Sequence, residues 1–252
     1  MIRRLSLRAT GIGLIVLLVV AWELAVRLQL VDSPSIPSFS ASVAALVGGI
    51  TDGTLPVAMG ETLSRVLVGY VVAVVAAVVV GALMGTSRFV YYLLEPVTEL
   101  LRPIPSAAYI PIAILLLGVG SEMKIAVIAL TSFFPVVLST CGGVRSVDPI
   151  LVDTGRTLGY GPLGRLRRIV LPSALPETLT GMRVALGIAL IVGIVSEMLA
   201  GDTGIGYLIL ESQRIFQVPL MFAGIITLAL VGYLLNLAFV RVESHLLRWR
   251  TA

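Results

Sequence analysis

Ser146 to Pro176 reads SVDPILVDTGRTLGYGPLGRLRRIVLPSALP and is the longest polar interval beyond the first hundred residues. It contains Arg156, Arg165, Arg167 and Arg168. With Arg145 at its flank, it carries five of the chain's 18 basic residues. A basic helical pair between two apolar runs is expected on the cytoplasmic side of a membrane, exposed and meeting a partner there. The punctuation predicts two such helices. Asp148 suits an N-cap and Pro149 the first helical position. Leu151 to Leu158 makes two turns, and Gly159 supplies the left-handed residue that ends them. Gly161-Pro162 restarts a helix that Pro172 and Pro176 are expected to stop.

Other reactive residues are sparse. Glu197 falls inside an apolar run, where a carboxylate is costly and faces an interior or a watery cavity. It either lines the outer gate of a solute path or sits at the water interface beside Gly201-Asp202 as a cap. Asn236, in the last apolar run, either bonds across helices or touches solute. Pro103, Pro105 and Pro111, with Tyr109 among them, predict an irregular start to a helix; the freed backbone groups should face protein rather than lipid. Glu23/Arg27 and Glu61/Arg65 have the spacing of interfacial i,i+4 pairs.

Several chemistries lack their residues. The only lysine is Lys124, and no Gly-x-x-x-x-Gly-Lys-Ser/Thr run exists to cradle phosphates, so no ATP is expected on this chain by that route. One histidine, His245, and one cysteine, Cys141, stand far apart, which leaves no metal cluster or Cys/His nucleophile. His-Glu-x-x-His and Gly-x-Ser-x-Gly are also absent. No catalytic, cofactor-binding or metal site is expected.

The elements that must hold these residues are membrane helices. The chain has 252 residues, 58% hydrophobic and 13% charged, against about a quarter charged for a soluble domain. Mean hydropathy is +1.04. With roughly 20 apolar residues per crossing, an all-α membrane protein of one domain is expected, with six spans near 10–30, 62–85, 103–120, 124–143, 177–200 and 220–240. Small residues recur every four positions at Gly69, Ala73, Ala77, Gly81 and Gly85, and at Gly181, Ala185, Ala189 and Gly193; such stripes let helix backbones approach. Residues 86–102 read as a polar turn. If that turn, both ends and residues 143–183 face the cytoplasm, 14 of the 18 basic residues lie inside. Only Arg27, Arg65, Lys124 and Arg214 lie outside. The positive-inside tendency favours this orientation, and the net charge of +4 reflects it rather than a nucleic-acid partner.

The 146–176 segment resembles the EAA loop of permease subunits of binding-protein-dependent ABC importers. Gly159, Ile169, Leu171 and Pro172 match that pattern in type and spacing, while Asp153, Thr154 and Gly155 stand where it has Glu-Ala-Ala. Arg-Pro-Ile-Pro at 102–105, followed by Tyr-Ile-Pro and Leu-Gly-x-Gly, resembles the nitrate, sulfonate and taurine branch. Ser-Glu-Met-Leu-Ala with Gly-x-Gly-Tyr-Leu-Ile at 196–209 resembles the importer permeases more generally. The resemblance implies a type I, MetI-like fold in the bacterial inner membrane. Asp153, Thr154, Gly155, Arg156, Gly159, Ile169, Leu171 and Pro172 would form a coupling helix and its support. Further implied are a second permease copy, two cytoplasmic ATPase subunits that bind ATP and magnesium, and an extracytoplasmic solute-binding protein. Glu197, Pro103, Pro105, Tyr109 and Asn236 are candidates for the path itself. The competing reading is a channel or carrier without a motor, or a membrane scaffold; neither needs a cytoplasmic docking loop ending in Ile-x-Leu-Pro.

Overall fold

The computed structural model describes residues 2–30 and 35–250. Pro34 and the side chains of Arg3, Arg4, Arg8 and Arg250 lie outside the described residues. The described residues form helices and no strand: α1 Ile2–Arg27, α2 Phe39–Thr51, α3 Thr54–Thr86, α4 Arg88–Leu101, α5 Ser106–Leu117, α6 Ser121–Arg145, α7 Pro149–Thr157, α8 Pro162–Arg165, α9 Leu171–Ala200, α10 Ile205–Arg214 and α11 Val218–Leu246.

The core is a sandwich of three helices, α3, α6 and α9, with α6 in the middle. The small-residue stripes hold it together. A Cβ added at Gly81 would fall 2.7 Å from the Val137 carbonyl oxygen on α6, and one at Gly69 3.0 Å from that of Ile125. On the other face of α6, Gly181 of α9 lies equally close to the Pro135 carbonyl, at 2.7 Å. Backbones this near gain dispersion contacts along their length without needing large side chains. Val66, Val127, Ile128, Ala189 and Val192 fill one end of the seam. Ala77, Met84, Val136, Val137 and Ala185 fill the other.

Four helices are long and apolar enough to cross a bilayer: α3, α6, the helix running from Pro162 to Ala200, and α11. The pair α4 and α5, bent by 99°, makes a fifth apolar unit. Of the expected span 10–30, side chains are described only from residue 13. Its far end is docked: Trp22 Nε1 donates to the Pro37 carbonyl at 3.0 Å, and its ring meets Phe39 and Phe222. Glu23 pairs with Arg27 at 2.6 Å and accepts from the Ser40 N–H at the start of α2.

Three sequence expectations change. The polar turn at 86–102 is the helix α4, because Arg88, Glu95, Glu99 and Arg102 are spaced to fall on one helical face. Phe89, Tyr92, Leu93, Val97 and Leu100 make the exposed apolar face. The expected third span, 103–120, is shorter: α5 has 12 residues, about 18 Å of rise against about 30 Å of hydrocarbon. Finally, Pro172 and Pro176 do not stop a helix. One helix runs from Pro162 to Ala200, 39 residues. Pro172 lacks the N–H that would close on Arg168. Just before it, Leu166–Val170 widens to a π turn in which Leu171 N–H bonds the Leu166 carbonyl. Such a bulge is how a helix absorbs a register change without ending.

Candidate functional site

At the end of the bundle formed by Thr86 and Arg145, α7 projects as an elbow. Asp148 Oδ1 accepts from Ile150 N–H at 2.8 Å and caps the helix. Gly159 ends it at φ +76°, a left-handed conformation that suits glycine. Gly155 is buried, and a Cβ there would collide with Ile169 and press on Arg165. Because residue 155 has no side chain, α7 lies directly on the helix that leads into α9. Val152 completes the contact against Val144, Val170 and Ala174. Much of the elbow's apolar surface is bare: Ile150 is 72% exposed and Leu163, on α8, 67%, with Leu151 and Leu158 also exposed. Asp153 and Arg156 pair at 2.8 Å on the surface. Thr154 Oγ1 donates to the Ile150 carbonyl. Ile169 and Leu171 are half-buried and Pro172 exposed.

The opposite end is closed by a buried charge clasp. Glu197, 1% exposed, receives Arg65 Nη1 at 2.7 Å, the Thr62 hydroxyl at 2.8 Å and the Gly206 N–H at 3.1 Å. Arg65 also donates to Ser121 Oγ at 3.1 Å, the Thr203 carbonyl at 3.2 Å and Thr203 Oγ1 at 2.6 Å. Thr62 Oγ1 in turn accepts the Ile205 N–H at 2.9 Å. The clasp thus ties α3, α6, α9 and the start of α10. Lys124 lies beside it, 1% exposed, its ammonium 3.8 Å from Asp202. The glycines of the 201–206 loop make this possible: at Gly204, φ +104°, a Cβ would enter the Glu197 carboxylate, and at Gly206 it would fall 2.5 Å from the Ile194 carbonyl. The expected Glu61–Arg65 pair is present at 3.9 Å, but Glu197, at 2.7 Å, is the closer partner. Two oppositely charged groups placed so deep are tolerated only with every partner present.

The remaining path candidates are not gathered with Glu197. Pro103, Pro105 and Tyr109 sit at the α4–α5 bend, where the Tyr109 hydroxyl donates to the Leu101 carbonyl at 2.9 Å and fixes the angle. Asn236 is exposed on α11. Sequence reasoning missed Arg65, Thr203 and Lys124 as members of the clasp. The one local sign was the density of glycine just after Glu197. Among the described residues no group of three or more His, Cys, Asp or Glu stands where it would hold a metal ion.

The family model described as "Binding-protein-dependent transport system inner membrane component" matches residues 69–248, and the chain belongs to that family. It is 31% identical to the taurine transport system permease protein TauC of Escherichia coli K12, over 95% of this chain and 89% of that one. To the putative aliphatic sulfonates transport permease protein SsuC of Bacillus subtilis 168 it is 32% identical, over 96% and 88%. To the nitrate import permease protein NrtB of Synechocystis it is 31% identical, over 78% and 71%. Among solved structures, the inward-facing MetNI methionine ABC transporter has the same fold, with a TM-score of 0.68, 19% identity and coverage of 75% of this chain and 94% of that one. The chain is therefore a multi-pass permease subunit of the bacterial inner membrane, of the MetI-like all-helical kind.

Proposed function

We propose that this permease serves an ATP-driven importer of a small anion of the sulfonate, taurine or nitrate type. The substrates in the names of its relatives support that class. In this reading the chain is one permease domain of six spans, α1 included, with both ends in the cytoplasm. The distribution of arginines supports the orientation, and does so even with Arg102, at the α4–α5 bend, left out of the count. Two copies line the path. A binding protein delivers solute from outside, and two ATPase subunits, which hold the ATP and magnesium, dock inside. The chain itself hydrolyses nothing. Asp153, Thr154, Gly155, Arg156 and Gly159 form the docking elbow; Ile169, Leu171 and Pro172 anchor it.

The observation that carries this reading is the elbow's mounting. α7 rests through Gly155 on a helix that continues without a stop to Ala200, about 58 Å of rise. A push on the exposed Ile150–Leu158 face therefore reaches the far end of the bundle through one body. Alternating access needs such a mechanical link between motor and path.

The test uses the complex reconstituted with its ATPase and binding protein. Gly159→Pro demands φ near −65° where the backbone has +76°. It should abolish uptake and leave ATP hydrolysis unresponsive to loaded binding protein, with membrane insertion intact. Arg156→Glu, which places like charges beside Asp153, should do the same. Normal, coupled uptake by both variants would refute the lever.

A further inference from the structure

The α4–α5 bend carries charge to the middle of the bundle's height. A groove of about 280 Å³ opens there, lined by Arg102, Ser106, Tyr109, Thr131, Phe134 and Ile188 among others. Thr131 and Phe134 lie near the centre of α6, and Ile188 near the centre of α9, so the groove sits at mid-span rather than at either end. The Arg102 side chain, on its lining, is 54% exposed overall, with Glu99 at 3.4 Å and 53% exposed as its ion partner.

A guanidinium at that depth cannot face hydrocarbon cheaply; at a helix centre it costs about 2.5–3.5 kcal/mol or more, so intramembrane arginines mark watery paths. The wall around Arg102 also has the chemistry of a site. Ser106 Oγ makes no hydrogen bond with the described residues. The Tyr109 and Thr131 hydroxyls are turned inward, donating to the Leu101 and Val127 carbonyls. Phe134 and Ile188 supply an apolar side. A charged fork, one free hydroxyl and an apolar wall fit a small oxyanion with or without a short alkyl tail.

We infer that Arg102 is an anion-contacting residue of the path: its guanidinium takes the head of a sulfonate- or nitrate-type oxyanion in this groove, exchanging it for Glu99. The exchange gives a role to the carboxylate that pairs with Arg102 from outside the groove's lining. With the groove vacant, Glu99 neutralises the arginine. With an anion present, the displaced carboxylate repels it and keeps binding weak, as a conducting site requires. Nothing covalent changes. The inference rests on the anion-import reading, and its test is separable from it.

The complete complex carries Cys141→Ala and Ser106→Cys. Two thiol reagents of similar size are compared, an anionic sulfonatoethyl and a cationic trimethylammonioethyl methanethiosulfonate. With each rate normalised to that reagent's rate with a free thiol in solution, the anionic reagent should react at least roughly tenfold faster, the difference a unit charge a few ångströms away makes even at the dielectric of bulk water. Nitrate and ethanesulfonate should slow it. Arg102→Gln should erase the preference, Arg102→Lys should retain part of it, and Glu99→Gln should enlarge it. Equal rates with Arg102 in place, no labelling by either reagent, or a preference that survives Arg102→Gln would each overturn the inference. In the Cys-free background, Arg102→Gln should also lower anion uptake at least tenfold while ATP hydrolysis still responds to loaded binding protein. If instead the wild-type complex moves no anion, the import reading fails, and the labelling result stands or falls by itself.

Discussion

At the scale of single residues, Glu197 is the side chain whose removal should cost most. Its carboxylate is the common acceptor for Arg65, Thr62 and Gly206, and a buried ion pair that loses one member leaves the other charge uncompensated. Glu197→Ala should therefore destabilise the fold by about 3–5 kcal/mol, seen as a large fall in Tm of the detergent-purified complex. Replacing both partners, Arg65→Met with Glu197→Met, should recover most of that loss. A double variant no more stable than Glu197→Ala would mean that the carboxylate is not a structural clasp. Little of this was legible in the sequence. The two charges are 132 positions apart, and each has a nearer, more obvious role, Arg65 with Glu61 and Glu197 beside Asp202. What local chemistry dictates was legible: Asp148 as a cap and Gly159 at positive φ need only their own backbone neighbours.

At the scale of helices, the small-residue stripes predict where packing is tightest. Gly81→Leu sets a branched side chain 2.7 Å from the Val137 carbonyl, with Thr140 equally close, and nothing nearby is a flexible tip. Overpacking of this kind costs about 1–3 kcal/mol or more. The variant should lose α3–α6 packing, read as a drop in Tm and in the yield of assembled complex. Gly13, with open space around it, should accept the same change silently. The stripes were readable because a period of four survives in the sequence whatever the fold. The nature of α4 was not. Its charges suggested a turn, yet their spacing puts them on one side of a helix whose outward side is apolar. The continuity from Pro162 to Ala200 was hidden for a related reason. Two prolines read as a stop, and only the π turn ahead of Pro172 shows how the backbone passes them.

At the scale of the whole molecule, most of the apolar surface is not used internally. Only 17% of the apolar stretch of α11 and 28% of that of α3 is buried within the chain. Lipid and further subunits must cover the rest, so the chain alone should not form a sealed path. Proteoliposomes holding this subunit without ATPase should show no flux of nitrate or ethanesulfonate above protein-free vesicles. Steady flux from the lone subunit would favour the channel reading and count against an importer. The clasp then settles where motion can occur. Because Arg65 and Glu197 rivet the far ends of α3, α6 and α9 to one another and to the loop before α10, none of these pieces is free to swing independently there. Any opening and shutting of the conduit must be a sliding of one intact block past its neighbour, and the hinge belongs to the assembly rather than to this polypeptide.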